Sequence, residues 1–245
     1  MEAVSLSHPS VLALMSKFTI AMLDSDESGL EREVMVNRVA DLPSVIFYSP
    51  TGTRLFEMPY HHRFNPGMFA SSMRQALADL PKSLAREKEL QDAQRAEPDS
   101  IKRSDDLTAF YKQGFRFEDA SDQEMHGFRL AVQRGEADAD RRMSEIVYYE
   151  LKLRRFDRAA EAIKQFKEQF PTSPHRERVQ YYSGLQQYYG PKDLDGAAKT
   201  WEEQLNEFPS GVWSGQGRKM LSASRALQQD RAKLGKDFPD TWGGK

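Results

Sequence analysis

The stretch Ala40-Asp41-Leu42-Pro43-Ser44-Val45-Ile46-Phe47-Tyr48-Ser49-Pro50-Thr51-Gly52-Thr53-Arg54-Leu55-Phe56-Glu57-Met58 decides how the first part of the chain is read. Val45 to Tyr48 is a short β-branched and aromatic run, the signal of a strand covered on both faces. Ser49-Pro50-Thr51-Gly52 puts proline at the second turn position, where its fixed φ fits, and glycine where a positive φ is accepted. Thr53 to Met58 is again extended and apolar, so the pattern predicts a β-hairpin. Read by itself, Pro43 is an ordinary trans proline opening an edge strand.

Outward from the hairpin, Pro9 at a first helical position and the apolar Val11, Leu12, Leu14 and Met15 predict a short helix. Phe18 to Leu23 reads as a strand, Asp24 to Gly29 as an acidic turn, and Leu30 to Val36 as a second helix. Asn65-Pro66 is an N-cap followed by proline at N1. After it, Phe69, Met73, Ala76, Leu77 and Leu80 form one helical stripe that Pro81 closes.

This order of elements, with a Leu-Pro lead-in, a Val-Ile-Phe-Tyr strand and a Pro-x-Gly turn, resembles the C-terminal half of a thioredoxin fold over residues 1–81, one third of the chain. The resemblance implies that Pro43 is the cis-proline beside the redox site, with Asp41, Leu42 and Pro43 as a binding loop. Ser7-His8-Pro9-Ser10-Val11 looks like the segment that follows the family's Cys-x-x-Cys helix. By that resemblance the chain opens just past the cysteines, either through N-terminal truncation or as a naturally degenerate domain. The family's missing central strand would leave Phe18–Leu23 and Val45–Tyr48 without a neighbour, exposing unpaired backbone groups.

The 245 residues suffice for one large or two small domains. A hydrophobic content of 39% against 29% charged, with a mean hydropathy of −0.71, describes a polar, helix-rich chain. A net charge of −2 gives no electrostatic case for nucleic acid or an acidic membrane surface. No apolar run approaches the roughly eighteen residues of a membrane span, and Met1 to Val4 has no basic n-region of a signal peptide. There is no cysteine, so this polypeptide has no disulfide, thiolate or cysteine–metal chemistry.

Lys82 to Glu97 is a charged run whose apolar positions, Leu84 and Leu90, are too sparse to bury a face, and it reads as a solvated helical linker over 82–100. The remainder, 101–230, is helical and repeats itself. Phe156-Asp157-Arg158-Ala159-Ala160, ending at Phe170-Pro171, recurs 38 residues on as Leu194-Asp195-Gly196-Ala197-Ala198, ending at Phe208-Pro209. Small alanines let a neighbouring helix approach, and each proline stops its helix. The pattern resembles tetratricopeptide repeats, whose usual period is about 34 residues. The excess fits the insertion Gly190-Pro191-Lys192-Asp193. Further helices are predicted near 106–113, 121–134 and 137–153, a closing helix over 213–229, and a tail over 231–245. Stacked helix pairs bury a shared core and leave a concave groove.

Motifs that carry chemistry are few. Asp24-x-Asp26-x-Ser28-Gly29 imitates a calcium loop, but Met35 stands at its twelfth position, where a bidentate glutamate is needed. His61-His62, in a place where the thioredoxin family often has glycine, would point to opposite sides of a strand and reads as a solvated loop. No phosphate loop, dinucleotide fingerprint or His-Glu-x-x-His occurs. Tyr148, Tyr181, Tyr182 and Tyr188 could line a peptide groove, with core packing at helical spacing as the commoner explanation. Arg154-Arg155 and Arg176/Arg178 could pair with a ligand's carboxylates, with solvated helix faces as the commoner explanation.

The expected fold is therefore α+β: an incomplete thioredoxin-like α/β unit followed by a tetratricopeptide-like array. The expected function is a redox-inactive interaction protein that holds a protein or peptide partner, with Arg154 and the tyrosines as groove candidates and no cofactor or metal. The alternative is a truncated thiol–disulfide oxidoreductase whose Cys-x-x-Cys lies upstream of Met1.

Overall fold

A computed structural model describes residues 6–20 and 45–234. The chain divides into two compact units, 1–120 and 121–245. The expected α+β organisation is not what it adopts. About 74% of the described residues are helical, and the sheet has two strands. Each strand pairs with the other, so no multistranded sheet exists among the described residues for helices to cover. Phe18 to Ile20, the described part of the expected first strand, is irregular. The rest of that strand, the helix 30–36, the Asp24–Gly29 turn and the Asp41–Pro43 loop lie outside the described residues.

In the first unit, α1 (Pro9–Met15) starts at proline, with the His8 ring nitrogen accepting from Ser10 N at 3.3 Å. Strands β1 (Ile46–Tyr48) and β2 (Arg54–Glu57) form the antiparallel hairpin, with Ile46 opposite Glu57 and Phe47 opposite Phe56. Gly52 N donates to Ser49 O at 3.0 Å and Gly52 has φ +84°, a type I turn closed by a left-handed residue. A 3₁₀ turn (Tyr60–Phe64) leads into α2 (Pro66–Ala96), capped by Asn65. Val11, Phe47, Met58, Phe69, Ala70, Met73 and Ala76 form the core between α1, the hairpin and α2.

Two corrections concern α2. It runs unbroken through Pro81, although proline removes a hydrogen bond and crowds the carbonyl four residues back, costing about 3 kcal/mol. Buried anchors on both sides compensate: Phe69, Met73 and Ala76 before it, Glu87 and Leu90 after it. The charged run 82–96 is thus part of a packed helix, not a solvated linker. Glu87 is 4% exposed because it is a hub. Its carboxylate accepts from Thr51 Oγ1 at 2.7 Å, from Gln91 Nε2 at 3.2 Å and from Arg116, whose Nε also donates to Asp119 at 2.8 Å. Burial works against the charge on Arg116, but bonds to Asp119 and Glu87 outweigh it and raise its pKa. Helix α3 (Ile101–Gln113) follows, and Gly114 O accepts from Arg54 N at 2.9 Å, tying the hairpin to its end.

From α4 (Phe117–Arg134) onward the chain is helical-repeat-like: α5 (Ala139–Lys152), α6 (Phe156–Gln169), α7 (Arg176–Tyr189), α8 (Leu194–Glu207) and α9 (Ser214–Leu234). The 38-residue period is written in the backbone. Phe170 N donates to Phe166 O, Ser173 N to Phe170 O and Arg176 N to Ser173 O; Phe208, Gly211 and Ser214 repeat the same three bonds. A second signature marks three turns. Phe115, Arg154 and Lys192 have φ of 59°, 55° and 58°, each two residues before a helix start. The amide after the left-handed residue bonds five residues back at Arg116 and Arg155, but six back at Asp193, which locates one inserted residue in Gly190–Asp193. The insertion does not account for the excess over 34 residues, because Phe115 to Arg154 is already 39 apart without it. Trp201, fully buried, anchors the core of Tyr188, Leu194, Ala197, Ala198 and Leu221.

Candidate functional site: an arginine in an aromatic frame

On α7, Arg178, Tyr181 and Tyr182 are spaced i, i+3, i+4 and share one face. On α5, Ser144, Glu145 and Tyr148 face them. Trp213 stands immediately before α9, placed by the turn that ends α8. Its backbone N donates to the buried Glu177 Oε1 at 2.8 Å. Gly211 lets that turn close: a Cβ there would sit 2.1 Å from the Glu177 carboxylate.

Arg178 is the pivot. Its Nε donates to Tyr182 Oη at 3.0 Å, and one terminal nitrogen donates to Glu145 Oε1 at 2.5 Å and Ser144 Oγ at 3.4 Å. The guanidinium carbon lies 5.3 Å from the Tyr182 ring centre, 5.8 Å from Trp213 and 5.9 Å from Tyr148, within cation–π range. Tyr181 stacks on Trp213 at 5.4 Å, and Tyr182 meets the same indole edge-on at 5.5 Å. Burial opposes the charge on Arg178, but the Glu145 bond and the Tyr182 contacts hold its pKa above the usual value. Burial pushes the Tyr182 hydroxyl up to about 12 against the pull of Arg178. It raises Tyr149 as well, with the Glu145 and Glu124 charges adding to the effect. The frame is thus a fixed cation between neutral phenols, with Tyr148, Tyr181 and Trp213 only half-buried.

The structure separates the residues singled out in the sequence. Tyr148, Tyr181 and Tyr182 come together. Tyr188 does not: it packs on Trp201 at 5.9 Å and on Tyr189 at 4.8 Å, inside the core. Arg154 lies at the turn between α5 and α6, over the Phe156 ring at 6.0 Å. Arg176 pairs with Glu207 and lies near Phe208. Arg178 is not on a solvated face; its side chain is 17% exposed among aromatics. The i, i+3, i+4 spacing carried that signal, whereas Trp213, in a turn with no periodicity, carried none.

His61 and His62 lie in the 3₁₀ turn rather than a strand, their rings edge to face at 4.5 Å, and His62 Nδ1 is hydrogen-bonded with Ser72 Oγ at 2.9 Å. Among the described residues no group of three or more histidine, aspartate or glutamate side chains is placed to hold a metal ion. No described helix is long and apolar enough to cross a membrane. No protein-family model, curated protein or solved structure matches this chain.

Proposed function

We propose that residues 121–234 act as a protein-interaction module of the tetratricopeptide type, holding an extended peptide segment of a partner against the aromatic frame. The observation that carries the reading is the frame itself: half-buried Tyr148, Tyr181 and Trp213 set rigidly about one charged arginine. Rigid aromatic surface is what dominates peptide and protein interfaces, because it buries area at small conformational cost. The recurrence of the same turn bonds 38 residues apart supports it further, since stacked hairpins present successive first helices side by side.

The test is selection of peptides on the full-length chain from a displayed library, followed by titration of the selected peptides. Tyr181→Ala combined with Trp213→Ala should weaken them about tenfold or more, as loss of central aromatic anchors does. Lys164→Ala, on the exposed side of α6, should leave affinity unchanged. Selected peptides that bind a folded double variant as well as the parent would remove this reading.

A further inference from the structure

At one end of the hairpin α5–α6 a cleft of about 610 Å³ opens between the turn residues Arg154 and Arg155, the first turn of α6 and the end of α7. Arg154, Arg155 and Arg158 line it together with Phe156, Asp157 and Gln186. Gly190 shapes the opposite wall: a Cβ there would come within 2.8 Å of Phe156 Cβ, so α7 closes directly on the ring. Gln186 Nε2 donates to Phe156 O at 3.3 Å and fixes the same junction.

Three guanidiniums and the Asp157 carboxylate line the cleft, and Glu150 pairs with Arg158 beside it, leaving a net positive charge of one. The positive end of the α6 dipole adds to this and the carbonyl end of α7 subtracts, so the arginines decide the sign. Arg158 is 65% exposed and pairs with Glu150 at 3.8 Å, an ion-pair contact longer than a hydrogen bond that leaves its guanidinium edge open to solvent. The cleft is open to solvent, so its size admits an extended segment and its charge sets the preference. Liquid water occupies about 30 Å³ per molecule, so the cleft has room for several side chains and greatly exceeds one oxyanion. Guanidinium forks match carboxylates in the plane, two bonds at a time.

We propose that this cleft binds a short acidic segment of a protein partner, its aspartate or glutamate carboxylates engaged by Arg154, Arg155 and Arg158. The site lies at the α5–α6 turn, the start of α6 and the end of α7, apart from the aromatic frame, and does not depend on that frame's role. Arg154 supplies an internal control. It holds φ +55°, a conformation that glycine adopts without strain and arginine does not. A residue kept there for its charge should be replaceable by glycine with a gain in stability and a loss of binding.

The experiment titrates the full-length chain with a fluorescent poly-glutamate peptide and follows anisotropy. Arg154→Gly should bind about tenfold more weakly, the worth of one charge-assisted pair, with a melting temperature at or above the parent's. Arg155→Glu with Arg158→Glu should abolish binding. Lys164→Glu with Lys167→Glu, an equal charge change on the exposed face of α6, should change it little. Equal losses in both double variants would mean diffuse attraction, and displacement of the peptide by millimolar inorganic phosphate would mean an adventitious anion only; either result overturns the proposal. So does unchanged binding by Arg154→Gly, which also retains its fold for the aromatic-frame peptides and so separates the two sites.

Discussion

Gly184 sits in the middle of α7, where glycine costs a helix about 1 kcal/mol relative to alanine. Propensity therefore predicts that Gly184→Ala stabilises the protein. The packing predicts the opposite. A Cβ at this position would stand 2.3 Å from Trp201 Nε1, 2.4 Å from Cε2 and 2.8 Å from Cδ1, all on the pyrrole edge of a fully buried indole. That indole cannot swing aside without breaking its bond to Tyr181 O at 3.2 Å. Overpacking costs about 1–3 kcal/mol and the strained hydrogen bond about 1 kcal/mol. After the propensity gain, the net is a loss of about 1–3 kcal/mol. For a unit of this size it lowers the melting temperature by roughly 3–12 °C. Circular dichroism through thermal and urea unfolding measures it. Trp201→Phe removes the pyrrole edge, so the alanine should cost clearly less in that background than in the parent, a coupling that a double-mutant cycle isolates. Stabilisation by Gly184→Ala, or an equal cost in both backgrounds, would refute the claim that the tryptophan dictates the glycine.

Three further outcomes follow from the same geometry. Gly114→Ala puts a methyl 2.6 Å from the Cγ2 of buried Thr53 and strains the Arg54 N to Gly114 O bond, so the first unit should lose about 1–2 kcal/mol in urea unfolding. Glu87→Ala strips Arg116, Thr51 and Gln91 of their shared acceptor while Asp119 still holds Arg116; the expected cost is about 2–3 kcal/mol, with Glu87→Gln milder because it retains one acceptor oxygen. For Tyr182 the folded hydroxyl titrates higher than the unfolded one, so its stabilising contribution is full below about pH 10 and is lost as pH rises from there through about 12. Alkaline unfolding, followed by phenolate absorbance and circular dichroism together, should show part of the phenol titration coincident with loss of structure, a part that Tyr182→Phe removes.

Legibility in the sequence tracked how local each cause was. The hairpin turn was readable because Pro50 and Gly52 encode their own backbone angles. The α6/α8 repeat was readable because Ala-Ala and Phe-Pro mark both ends of each copy. The α/β reading failed where a pattern had to be completed by a remote partner: two paired strands resemble part of a larger sheet until their neighbours are known. Pro81 misled for the same reason, since a local breaker was overridden by anchors a turn or more away on either side. In the candidate frame, tyrosine pairs showed where aromatic mass lay, yet adjacent tyrosines point in different directions. Spacing along one helix pairs Tyr182 with Arg178, but only the helix crossing settles that Tyr188 meets Trp201.

Buried charge in a chain this polar has a physical use that the two hubs share. Glu87 and Arg178 each stand where segments distant in sequence converge: 87 joins residues 51, 91 and 116, and 178 joins 144, 145 and 182 with the ring at 213. An apolar residue at either place would pack with many neighbours in many rotations, because apolar contact is non-directional. A carboxylate or guanidinium must instead satisfy several fixed donors or acceptors at once, and losing one costs more than a lost contact. The left-handed turns at Phe115, Arg154 and Lys192 set the path of each helical hairpin with the backbone alone. The hubs then tie segments together with side chains, Glu87 joining the β-hairpin turn to Arg116 and Arg178 joining α7 to α5. Under this division of labour, Arg178→Met, close in length and apolar, should leave helix content intact but loosen the Tyr181–Trp213 stack. Hydrogen exchange at α7 should accelerate while exchange at α6 holds, and uniform acceleration across both helices would show that Arg178 carries general stability instead of orientation.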